Sequence, residues 1–247
     1  MTRKYWSRLL GGVACALAPL LVAGQATAAE ADVAPAGPST EGGLGNHQRN
    51  VRVDIGARTQ FIKGSGFDPF STDDVLPQLS LGASFAFWSQ NQLSLAAVAG
   101  FDYGTSSASL RSDKASLDVR RFLLAPEARY HVLRILALTA KVGPTLTREA
   151  AEVSGPLGSS MLKTGWKFGF DATAGAAVEV WGYANPNSHK PRLWIMGEGG
   201  YGWTSAMKLA FKPEDAGSVP QRLSPLDLGD LSVSGPLFRV TAGLSFW

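Results

Sequence analysis

The residues best suited to acid–base, nucleophilic or metal chemistry in this 247-residue chain are three histidines and one cysteine. On a β-strand a side chain shares its face with those two positions away, so a histidine base needs its nucleophile at that spacing. His47 has Gly45 and Arg49 there, His131 has Arg129 and Leu133, and His189 has Asn187 and Pro191, so no pair of base and nucleophile forms. His131 beside Glu127 and Arg129 reads as a satisfied polar residue. Asp68, Asp73 and Asp74 lack the spacing of a calcium loop and read as solvated charge. Gly64-Ser65-Gly66 opens no helix and cradles no phosphate. The expectation is no catalytic residue, no metal and no cofactor.

Cys15 falls in an N-terminal segment that explains it. Arg3, Lys4 and Arg8 precede an apolar stretch from Leu9 to Ala23, and Ala26-Thr27-Ala28 fits the small-residue rule for signal cleavage. Gly11, Gly12, Pro19 and Gly24 interrupt the stretch, which argues against a transmembrane helix. Residues 1–28 are therefore expected to be a signal peptide, leaving a mature chain with no cysteine, no disulfide and no thiol chemistry. Residues 29–50, rich in Ala, Pro, Gly, Ser and Thr, are expected to be a flexible periplasmic leader. The formal charge of +3 resides in that signal; beyond residue 29 cations and anions balance, so no basic patch suggests a nucleic-acid partner.

From Val51 the dominant signal has period two, with alternate positions of different chemical class. Val51, Val53, Ile55, Ala57, Thr59 and Phe61 carry no charge, while Arg52, Asp54, Arg58 and Gln60 lie between them. Seven more runs follow, beginning at Gln78, Leu93, Arg121, Leu136, Trp166, Arg192 and Phe238. Their connections go long, short, long, short. Ile62–Pro77, Gly104–Ala115, Thr147–Lys163 and Ala206–Leu231 are the long ones; Ser89–Asn91, Val132–Leu133 and Gly182–Pro191 are the others. A soluble sandwich has no reason to segregate them, whereas a transmembrane barrel has short periplasmic turns and long external loops.

Aromatic residues give an independent test, because they gather at the two membrane interfaces. With the first run ascending, Phe61, Phe101, Tyr103, Phe122, Trp166, Phe168, Tyr201, Trp203 and Phe238 fall toward one level, and Phe87, Tyr130 and Phe246 toward the other. The fold expected is all-β: an eight-stranded antiparallel up-and-down transmembrane β-barrel over residues 51–247.

In strand number, loop asymmetry and aromatic ending the chain resembles the small eight-stranded bacterial outer-membrane barrels, the class of the OmpA transmembrane domain, OmpX and the opacity-porin-like proteins. The ending, Leu237 to Trp247, looks like the insertion signal of that class, with Phe246 in the apolar phase and Trp247 one step out of it. The resemblance implies the outer membrane of a Gram-negative bacterium. It implies membrane lipid, lipopolysaccharide and the barrel assembly machinery as partners, with an unidentified extracellular ligand.

The ionic face then lies inside, bringing Arg52, Arg58, Arg121, Arg129, Lys141, Lys167, Arg192 and Arg239 together with Asp54, Asp102, Glu127, Asp171, Glu179 and Glu198. Eight strands enclose only enough room for side chains, so a bonded charge network should plug the bore. The expected role is structural and surface-binding, through the long loops. A narrow channel for ions or small solutes is the alternative, and a lipid-modifying barrel enzyme a more distant one.

Overall fold

The computed structural model describes residues 51–110, 113–155, 158–163, 165–182, 191–211 and 226–246. The signal peptide, the leader, His47, His189 and Trp247 lie outside these residues. The chain runs through β1 (Val51–Phe61), β2 (Val75–Gln90), β3 (Leu93–Leu110), β4 (Asp113–Leu133), β5 (Leu136–Gly155) and β6 (Gly158–Lys163). It continues with β7 (Lys167–Trp181), β8 (Arg192–Thr204), β9 (Met207–Phe211), β10 (Leu226–Leu231) and β11 (Gly235–Phe246).

Eight of these close a ring in the order β1-β2-β3-β4-β5-β7-β8-β11, each antiparallel to its neighbours. The seam joins first strand to last, from Val51 opposite Phe246 to Gln60 opposite Leu237. Closure leaves no free edge along the ring. β6 pairs with the outer end of β5, and β9 with β10 in a separate two-stranded sheet.

The two faces of the wall differ as the alternation predicts. Ile55 and Leu124 are 56% and 67% exposed, whereas Arg58 and Arg121 are 0% exposed. At the short-turn end, Asn91 takes a positive φ of 54°, a conformation Asn tolerates better than most residues, and so reverses the chain between β2 and β3.

Two features depart from the sequence reading. First, β3, β4 and β5 extend past the upper aromatics: Gly104–Ala115 and much of Thr147–Lys163, expected as loops, are largely paired strand. Along these extensions the wall inverts. The outward face changes from Phe122 and Leu146 to Arg120 and Arg148, and the inward face from Arg121 to buried Val119 and Leu117. The extensions thus carry the arrangement of a barrel wall in water, with the apolar side inward.

Second, register shifts near Phe87, Val132 and Val180 put neighbouring residues on one face. A bulge opposes two residues to one. Trp88 and Trp181, which strict alternation points inward, are exposed on the outer wall.

Candidate functional site

β1, β3, β4, β7 and β11 bring buried charges to the middle of the bore. Arg58 Nη1 donates to Asp102 at 2.6 Å and to Asp171 at 2.9 Å. Arg121 Nη1 donates to the other oxygen of Asp171 at 2.8 Å, and its Nη2 to Thr204 Oγ1 at 2.6 Å. Arg239 Nη2 reaches Asp102 at 3.0 Å, and Ser80 Oγ donates to the same carboxylate at 2.6 Å. Each acid thus bridges two arginines from different strands, tying the wall together across its interior.

Lys141 Nζ lies 2.7 Å from Glu198, which Arg239 Nη1 approaches at 3.5 Å. Toward the short-turn end, Arg52 Nε pairs with Asp54 at 2.9 Å and its Nη2 with Glu127 at 3.3 Å. Arg129 donates to the same oxygen of Glu127 and, at 2.7 Å, to Ser84 Oγ. Arg192 and Glu179 are 3.8 Å apart. Of the fourteen expected lumen charges, only Lys167 joins no ion pair among the described residues; it is half-buried.

One lumen carboxylate escaped the sequence reading. Glu149, fully buried, lies on β5 beyond Leu146, the last apolar outward residue of that strand. Burial pushes its carboxyl up to about 7, against the opposing pull of Arg121 and Lys167. Its signal was the Thr145, Thr147, Glu149 alternation, which continues the inward phase of Lys141 and Gly143.

Above Glu149 the interior becomes apolar. Ile62, Phe67, Phe70 and Leu76, from β1 to the start of β2, pack with Leu117, Val119 and Ala151 and with Met207, Leu231 and Val233. Along the bore, ion pairs, Glu149 and an apolar cluster thus follow one another among the described residues.

At the opposite mouth, Arg52, Ser94, Arg129, His131, Trp194 and Ser245 are among the residues lining a small cavity, to which no carboxylate contributes among the described residues. Among the described residues no group of three His, Cys, Asp or Glu is placed to hold a metal ion.

The aromatic residues divide as their strands dictate. Phe61, Tyr103, Trp166, Phe168, Tyr201, Trp203 and Phe238 are exposed outward toward the extended end, while Phe87, Tyr130 and Phe246 are exposed toward the other. Phe101 is half-buried because its ring packs 4.9 Å from that of Phe122.

No family model matches the chain, and no curated protein matches it. Among solved structures, it is similar to Ail, the attachment invasion locus protein of Yersinia pestis, at 13% identity and a TM-score of 0.45, over 81% of this chain and 99% of that one. Ail in complex with the heparin analogue sucrose octasulfate gives 14% identity and 0.46, over 81% and 99%. Neisserial surface protein A gives 11% and 0.40, over 80% and 96%. The strand register itself defines the architecture: an all-β chain closed into an eight-stranded antiparallel barrel, with an apolar outer face and an inner face that carries the charges.

Proposed function

We propose that the chain is an integral barrel of the Gram-negative outer membrane, closed to solutes, with a structural role and a surface-binding role. The observation that carries this reading is the joint filling of the bore by wall-to-wall ion pairs and, above them, by an apolar cap. A conducting path would have to break both. Binding is assigned to the extracellular extensions of β3–β6, which a rigid ring holds clear of the bilayer. No reaction is assigned: His131 has Arg129 and Leu133 two residues away along β4, so no nucleophile stands at the spacing that a base on a strand needs.

The test has two arms. In planar bilayers the purified protein should give no stepwise conductance; regular steps would favour a channel. Replacing residues 151–162 by a short turn should abolish binding of cells to their surface ligand while leaving the barrel resistant to unfolding by detergent until heated. Unchanged binding would remove the assignment to this tip. Altered lipid A masses in cells carrying the protein would point instead to a lipid-modifying enzyme.

A further inference from the structure

One row on the outer wall carries two arginines facing each other. Arg120 on β4 and Arg148 on β5 are direct partners in the register, and both are exposed. Directly opposite residues in an antiparallel pair hold their Cβ atoms about 4.5–5.5 Å apart, where like charges destabilise the pairing. Among the described residues, neither guanidinium joins an ion pair. The nearest acids along these outward faces, Asp118 and Glu152, lie farther from the apolar belt.

The row's position is set by its neighbours. Immediately on the belt side stand Phe101, Phe122 and Leu146. In the row itself, Tyr103 is opposite Arg120, whose guanidinium lies 5.9 Å from the Tyr103 ring centroid. Trp166, next to Lys167, which pairs with Thr147, leans across to within 5.5 Å of Phe122. Tyrosine and tryptophan are side chains of the bilayer interface. Two arginines that join no ion pair among the described residues therefore stand beside these aromatics, at the level where headgroup phosphates would begin.

We propose that Arg120 and Arg148 together bind the phosphate of a lipid headgroup in the leaflet around the extended end of the barrel. The planar guanidinium fork matches phosphate oxygens, and one dianionic group between the two arginines converts a repulsion into a pair of charge-assisted contacts. The proposal rests on the reading above that the apolar belt lies in a bilayer, but it concerns the wall and is independent of any ligand of the loops.

The full chain is refolded into vesicles of phosphatidylcholine alone and of phosphatidylcholine with phosphatidic acid, and the lipid retained after extraction is counted by native mass spectrometry. The wild type should retain phosphatidic acid in preference to phosphatidylcholine by about tenfold. The double variant Arg120→Gln, Arg148→Gln should lose that preference, and Lys63→Gln, at an exposed cation on another part of the rim, should keep it.

The single variant Arg148→Gln separates binding from folding. It should raise the unfolding temperature in a neutral sugar detergent, where only the repulsion is removed, and lower it in phosphatidic acid vesicles. A preference that survives the double variant overturns the proposal. So does equal protection of the detergent-solubilised protein by inorganic phosphate, which would make the ligand a free anion. Insertion without any preference overturns this proposal alone, whereas failure to insert into either vesicle overturns the membrane reading as well.

Discussion

Arg58 and Arg239 stand directly opposite each other on the first and last strands, and both donate to the carboxylate of Asp102, at 2.6 Å and 3.0 Å. The like charges at the seam are compatible only because a third strand supplies the acid between them. The ion pairs therefore join strands far apart in the chain as well as neighbours.

Asp102→Asn keeps the shape and removes the charge that the two seam guanidiniums share, leaving Arg58 only Asp171 and Arg239 only Glu198. Breaking a buried pair in this way costs about 3–5 kcal/mol. Ser80→Ala, which removes one hydrogen bond to the same carboxylate, should cost only about 1 kcal/mol. Urea unfolding of the protein in vesicles, followed by tryptophan fluorescence, should rank the two variants in that order.

The seam also depends on a close approach at Gly56. A Cβ there would fall 2.0 Å from the carbonyl oxygen of Val240 and 2.6 Å from the Cα of Thr241, backbone atoms that cannot step aside without moving β11. Gly56→Val should destabilise closure by at least about 1–3 kcal/mol, the usual cost of overpacking. On an unheated gel the variant should lose the folded band, while Gly197→Ala, at a position with open space, should keep it.

Inside the belt the sequence is readable because the outer wall and the lumen carry opposite chemistries on alternate residues, so Arg52, Asp54 and Arg58 stand out between Val51, Val53 and Ile55. The same template failed beyond Arg121. There the inward residues are Leu117, Val119 and Ala151 and the outward ones Arg120 and Arg148, an alternation of reversed sense that reads as loop when apolar-outward is required. Glu149 was lost for this reason. Trp88 and Trp181 were hidden differently, by bulges that leave no mark in the residue types and shift the phase by one. The cap was illegible because Phe67 and Phe70 meet Val233 only through the tertiary fold.

The cap should unfold separately from the ring. Phe67 and Phe70 are fully buried in it, and Ile62 N donates to Asp74 O at 2.8 Å to hold the entry of that segment. Phe70→Ala should cost about 3–5 kcal/mol locally. Because the part of the ring below the cap has its own pairing and ion pairs, the loss should appear as local opening. Trypsin should cut faster at Lys63 while the folded band survives on the gel; loss of that band would make cap and ring one cooperative unit.

Glu149 makes the extended end of the barrel sensitive to pH with a defined sign. Its carboxyl is raised from 4.5 to about 7 by burial, so between those values the folded protein holds a proton that the unfolded chain has released. Its contribution is therefore most favourable below about 4.5, declines as pH rises toward 7 and levels off above it; the full difference is on the order of 3 kcal/mol. Glu149→Gln keeps the hydrogen-bonding shape and removes the titration. Unfolding free energies of wild type and variant should then diverge from pH 4.5 to 7, with the variant gaining relative stability, and run parallel above that range. Parallel curves throughout would mean that Glu149 already ionises with an ordinary affinity for its proton, its burial fully offset by Arg121 and Lys167.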